Sequence, residues 1–325
     1  MNNRRKLLVA LGASALAAPF CSFAQQPSAK LHRIGFLGPT SAGRGLDAFR
    51  AGLRELGYVE GKNLVIEFLW AEGKYERLPE LAAELVRLKV DVIVTNGPGN
   101  LAAKSATATI PIVFATVGDA VGAGLVPSLA RPGGNITGLS FFNPELAAKR
   151  LELLKEAFPR IRRIAVLFNS DNPAQKNLNL PAMEATAGSL KLELQQFGVR
   201  SPGEFESAFA TMSKRRVEAV AINEDPMFSA NLGAAVSLAD KYRIPSIGSI
   251  AVAEAGGLMA YGVNSTAMFR RAAVFVDKIL KGANPGDLPI ERATTFELAV
   301  NMKTAKALGI KIPNSILVQA TKVIE

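Results

Sequence analysis

The sequence predicts an α/β protein of two parallel-sheet lobes with a ligand cleft between them. From residue 33 onward, short apolar strands alternate with helical stretches. That alternation is the mark of parallel sheets with right-handed crossovers. The order of the first half recurs in the second, at offsets of 130, 127 and 134 positions. The segments after the strands are small and polar, and open α/β sheets bind ligands beyond the carboxyl ends of their strands.

The chain opens with Asn2-Asn3-Arg4-Arg5-Lys6, then an apolar run from Leu7 to Ala18, then Ser22-Phe23-Ala24. A basic start, a short apolar core and small residues at a cut predict a secretory signal spanning 1–24. The apolar run is too short for a membrane span, which needs roughly 20 residues. Arg4-Arg5 also fits a twin-arginine signal. Cys21 follows Phe20, where a lipid-anchor site wants a small residue, so it reads as a discarded signal residue. Cleavage leaves 301 residues and lowers the formal charge from +10 to +7.

Ile34–Leu37 is the first expected strand, ending at Gly38-Pro39-Thr40-Ser41. Leu46, Phe49, Leu53 and Leu56 follow at helical spacing, before Gly57. Leu64–Trp70 is a second strand, and Leu78, Leu81, Leu85 and Leu88 mark the next helix. Val90–Thr95 ends at Asn96-Gly97-Pro98, and Ile112–Ala115 ends at Thr116-Val117-Gly118-Asp119. In the second half, Arg163–Leu167 mirrors Arg33–Leu37, Val217–Asn223 mirrors Val90–Asn96, and Ile244-Pro245 mirrors Ile110-Pro111. Three matches in order predict two copies of one supersecondary plan.

The polar loops carry the candidate site: Ser41, Asn96, Gly97, Thr116, Asp119, Asn172, Asn223 and Asp225. Helix N-termini follow most of them and offer backbone N–H groups to a carboxylate. Asp119, Asp171, Glu224 and Asp225 are acids that could meet an ammonium. Each loop is also what a helix cap requires, since Ser, Thr, Asn and Asp are favoured there.

Composition excludes several chemistries. With 1 Cys and 1 His there is no disulfide framework, no Cys-based zinc site and no two-His metal site. Any Ser-His-Asp reading would hang on His32, which precedes the first strand. There is no dinucleotide fingerprint, phosphate loop or Gly-x-Ser-x-Gly elbow. No cofactor is expected. The basic charge raises nucleic acid as a partner. An export signal and the scatter of Lys and Arg along helix faces argue against it.

Several runs together carry a resemblance. They include Gly57-Tyr58-Val59-Glu60-Gly61-Lys62-Asn63-Leu64, Trp70-Ala71-Glu72-Gly73 and Arg77-Leu78-Pro79-Glu80-Leu81-Ala82. Further runs are Ile110–Ala115, Gly122-Ala123-Gly124-Leu125-Val126, Arg131–Gly138 and Lys149–Glu156. From about residue 31 to the C-terminus the chain resembles a group of ABC-transporter substrate-binding proteins that includes amino-acid binders. It departs from them at Ala120, where members often carry Pro.

The resemblance implies a type I periplasmic binding protein fold, with two Rossmann-like lobes and three crossings between them. Residues 31–139 and 262–290 would form lobe one, and 140–261 with 291–325 lobe two. Gly256, Gly257 and Gly262 could help the chain bend. It also implies that Asn96, Gly97 and Thr116 hold a ligand carboxylate and Asp225 an ammonium, with Ser41, Asn172 and Asn223 in second rank. Tyr261 or Phe141 would face a ligand side chain or simply pack in the core.

The function expected is a periplasmic, monomeric solute-binding component of an ABC importer. It would close by a hinge around a small polar ligand, an amino acid, and deliver it to a membrane permease. Rival readings are a ligand-sensing module for a membrane receptor and an exported enzyme using a carboxylate pair.

Overall fold

The computed structural model describes residues 30–40 and 44–325. The expected signal and Ser41 lie outside these residues. In chain order, β1 (His32–Gly38), β2 (Leu64–Trp70), β3 (Val92–Asn96), β4 (Ile112–Val117) and β5 (Ile136–Ser140) build a first sheet. β6 (Arg163–Asn169), β7 (Glu193–Val199), β8 (Ala219–Ile222), β9 (Ser246–Gly248) and β10 (Met259–Val263) build a second. β11 (Glu291–Arg292) returns to the first, and β12 (Phe296–Asn301) and β13 (Lys322–Ile324) complete the second.

The first sheet runs β11-β5-β4-β3-β1-β2 and the second β13-β12-β10-β9-β8-β6-β7. The cores of the two orders, β4-β3-β1-β2 and β9-β8-β6-β7, are the same arrangement. The recurrences at Arg33/Arg163, Val90/Val217 and Ile110/Ile244 fall on or just before β1/β6, β3/β8 and β4/β9.

Helices cover both faces of each sheet, so the inner strands read as continuous apolar runs. On one face of the first sheet, Ile34, Phe36, Val92 and Val94 pack with Phe49 and Leu53 of the helix Arg44–Glu55. Met268, Phe275 and Val276 of the helix Ser265–Leu280 join them. On the other face, Leu37, Ile93 and Phe114 pack with Leu78 and Leu85. Each such side chain, once fully buried, contributes about 1.5–3 kcal/mol.

The chain crosses between the lobes after β5, after β10 and after β11. Gly262, expected at the second crossing, lies inside β10 opposite Glu297, so the chain leaves after Val263. The last crossing was expected before residue 291. Glu291 and Arg292 instead pair with Leu139 and Ser140 of β5. They are held there because Arg271 binds Glu291 and Ile290 N donates to Leu129 O.

One strand pair departs from the parallel rule: β10 and β12 are antiparallel. The cause is the third crossing. β11 is parallel to β5 and ends beside it at the crossing edge. The chain therefore re-enters the second sheet from that edge and runs away from it.

Phe142, at the first crossing, holds a left-handed backbone (φ +53°), a strained setting for a bulky residue. The Arg292 guanidinium lies 5.1 Å from its ring centroid and pairs with Glu145 at 3.4 Å, tying the first and third crossings together.

Candidate functional site

The carboxyl ends of β1, β3 and β8 bring three loops to one place. A β-carbon on Gly97 would lie 3.3 Å from Cγ of Pro226 and 3.9 Å from Cγ of Pro39. The loop after β3 therefore touches, across the cleft, the loop after β8. Gly97 holds φ +57° there, a conformation that glycine adopts at no cost. Asn96 and Thr116 are opposite each other where β3 and β4 end. The Thr116 carbonyl accepts from Asn100 Nδ2 at 3.0 Å. The helix Gly99–Ala106 begins at this point and presents its first-turn N–H groups there.

Asp225 faces these groups from the second lobe. It caps the short helix Pro226–Ala230 by accepting from Met227 N at 2.8 Å. The cap reading and the cleft reading hold for the same side chain. Its Oδ1 also accepts from Asn169 Nδ2 (3.1 Å) and from the Tyr75 hydroxyl (2.8 Å). Its Oδ2 accepts from Asn172 Nδ2 (2.8 Å). Asp225 is only 3% exposed, yet among the described residues no Lys, Arg or His pairs with it. Burial, and then the Asp225 charge, push the Tyr75 hydroxyl far above the ordinary phenol pKa, so it stays a neutral donor.

A second layer sets the Asn223–Asp225 loop. Gln175 opens a five-residue π-helical turn, Gln175–Asn179, a distortion frequent at functional sites. Gln175 Oε1 accepts from Asn223 Nδ2 (2.9 Å) and Asn179 Nδ2 (3.1 Å). Its Nε2 donates to the Glu224 carbonyl (2.7 Å). The Glu224 side chain is paired with the buried Arg150 guanidinium, whose Nε donates to the Tyr261 carbonyl at 2.8 Å.

Of the expected residues, Gly97, Asn172, Asn223 and Asp225 thus belong to one cleft assembly, and Asn96 and Thr116 end the strands beside it. Asp119 is occupied locally: its Oδ1 accepts from Val121 N and Gly122 N, capping its own turn. Tyr261 stacks on Phe296 (6.1 Å, 22°), and Phe141 packs against the first lobe's core. Tyr75, Gln175, Asn179 and Arg150 were not expected. Only Tyr75 carried a sequence signal, as an aromatic residue in the polar link after β2. The others sit within helical segments, where an amide or a guanidinium reads as surface. Among the described residues, no group of three His, Cys, Asp or Glu could hold a metal ion.

The family model for ABC transporter substrate binding proteins matches residues 39–324. The chain belongs to that family. A tyrosine-binding protein of Clostridioides difficile strain R20291 is 28% identical over 265 residues, 81% of this chain and 76% of that one. A domain from Streptococcus pneumoniae solved in complex with L-Trp is 29% identical, with a TM-score of 0.83 over 91% of this chain and all of that one. The ligand-free, open structure of a Clostridium difficile substrate-binding protein with adhesive properties is 26% identical, over 90% of this chain and 99% of that one. Its TM-score is lower, 0.63, so this substrate-binding protein is closer in shape to the complex. The contacts of Tyr75 with Asp225 and of Gly97 with Pro226 are those of a closed cleft. These neighbours are solute-binding proteins, and membership of their family makes this chain a binding component of a transporter and not an enzyme.

Proposed function

We propose that this chain is the exported, monomeric binding component that delivers an amino acid with an aromatic side chain to its ABC permease. The observation that carries this reading is Asp225: a buried carboxylate at the seam between the lobes, with no cationic side chain paired with it among the described residues. Buried charges are normally paired. A ligand ammonium supplies the missing charge. Across the cleft, Asn96, Gly97 and Thr116, with the first N–H groups of the helix Gly99–Ala106, receive the ligand carboxylate. Asn172 and Asn223 orient Asp225 and its loop. The likeness to a tyrosine-binding protein and to an L-Trp complex supports the aromatic side chain. No helix among the described residues is long and apolar enough to cross a membrane.

Calorimetric titration of the mature chain with L-Tyr, L-Trp and L-Phe, beside their deaminated analogues, tests the reading. Binding of at least one amino acid and of none of the analogues is expected. Equal affinity for indole-3-propionate and L-Trp would remove Asp225 as an ammonium site.

A further inference from the structure

We propose that Tyr75 is a positioning residue that latches the cleft: its hydroxyl holds Asp225 from the opposite lobe and so couples ammonium capture to closure. The ammonium half of this inference rests on the function proposed above; the latch itself does not.

Tyr75 opens the short 3-10 turn Tyr75–Arg77 that follows β2. β2 is one edge of the first sheet, and the crossings leave from β5 and β11 at the other. Among the described residues, the other hydrogen bonds joining the lobes lie at those crossings. They include Asn143 N to Gly118 O, Arg292 to Glu145 and Asn264 Nδ2 to Glu297 Oε1. The Tyr75–Asp225 bond spans 150 positions and sits at the far side, where a hinge opens widest. The Tyr75 ring packs against the core face that holds Leu37, Leu78 and Phe114, so the hydroxyl has a fixed base.

Acceptor capacity lets the latch and the ligand coexist. Each carboxylate oxygen offers about two lone-pair sites, and the donors on one oxygen can share them. Oδ1 takes Tyr75, Asn169 and Met227 N, whereas Oδ2 takes Asn172 alone. The remaining acceptor site is on Oδ2. An ammonium can therefore join Oδ2 while Tyr75 stays on Oδ1, and each stabilises the arrangement the other needs. A ligand that fixes Asp225 favours closure, and closure brings the hydroxyl that fixes Asp225.

The experiment is Tyr75→Phe in the full mature chain. Distances between spin labels on the two lobes are measured without added amino acid, and stopped-flow binding is followed with L-Trp. The variant is expected to shift the distance distribution toward longer separations. It is also expected to raise the L-Trp dissociation rate about tenfold or more, with association changed less than about twofold, as loss of one charge-assisted hydrogen bond requires. An unchanged distance distribution in a variant with wild-type circular dichroism overturns the latch, whatever ligand binds. If the distribution shifts but no amino acid binds the wild type, the latch stands and the amino-acid reading fails. Should Tyr75→Phe not fold, Asp225→Asn, which weakens the same bond from the acceptor side, must shift the distribution the same way; no shift there also overturns the latch.

Discussion

Glu224 and Asp225 are adjacent in the chain, yet among the described residues only Glu224 has a cationic partner. The Arg150 guanidinium, 1% exposed, is committed to Glu224 and to the Tyr261 carbonyl, while the described donors to Asp225 are all neutral. The loop therefore keeps one acid satisfied and one available for a cation.

Arg150→Met should leave Glu224 without its partner at the base of the cleft. Breaking a buried pair from one side costs about 3–5 kcal/mol, and urea denaturation should register a loss of that order. A loss below about 1 kcal/mol would mean that Glu224 reaches water in the folded state.

Gln175→Leu removes an acceptor from Asn223 and Asn179 and a donor from the Glu224 carbonyl. Each orphaned buried group costs about 1–3 kcal/mol. We expect a destabilisation of roughly 3 kcal/mol in chemical denaturation, and a fall in ligand affinity larger than Gln175→Glu produces. Unchanged affinity would show that the Asn223–Asp225 loop keeps its shape without the relay.

Gly97 and Gly138 separate closure from folding. Gly97→Val forces a left-handed β-branched residue, and its side chain meets Pro226 only when the lobes close. It should hold the cleft open and weaken binding at least tenfold, with both lobes still folded, by small-angle scattering and circular dichroism. A β-carbon on Gly138 would lie 2.2 Å from the Phe114 carbonyl oxygen, inside the first sheet. Gly138→Ala should lower the melting temperature whether or not ligand is present.

Alkaline pH offers a test of the Tyr75 environment. The unfolded phenol loses its proton near pH 10; in the folded chain, burial and the Asp225 charge keep it protonated above that. The folded state then binds more protons, so stability falls as pH rises past about 10, by up to about 1.4 kcal/mol per unit. Below pH 9 the contribution is fully present. The stability advantage of wild type over Tyr75→Phe should therefore shrink between pH 10 and 11. A constant advantage would mean that the hydroxyl titrates like a free phenol.

The strand segments and the polar loops were legible because both are local: apolar runs of four to seven residues end in Asn, Gly, Thr or Asp. The partners of those loops were not. Whether Asp225 caps a helix or faces the cleft depends on Tyr75, 150 positions away, and no spacing encodes that meeting. Arg150 and Gln175 look like exposed helix residues in sequence, and only their packing against β10 and the loop after β8 makes them interior. The antiparallel β12 was hidden for a related reason: its direction follows from where the third crossing ends, not from its own residues.

The crossings also bear on how the protein is made. The first lobe's core takes Met268, Ala272, Phe275 and Val276 from a helix that begins 125 positions after β5 ends. A chain synthesised from its N-terminus cannot complete that lobe until nearly nine-tenths of it has emerged. The second lobe waits longer still, for β12 and β13. The two lobes must then finish folding almost together, and apolar surface from β1 to β5 has to be shielded from aggregation in the interval. A fragment cut at the first crossing would leave the first lobe without that helix, and a cut at the second would leave both cores incomplete. The pair is separable as machinery for closing on a ligand, but not as units of folding.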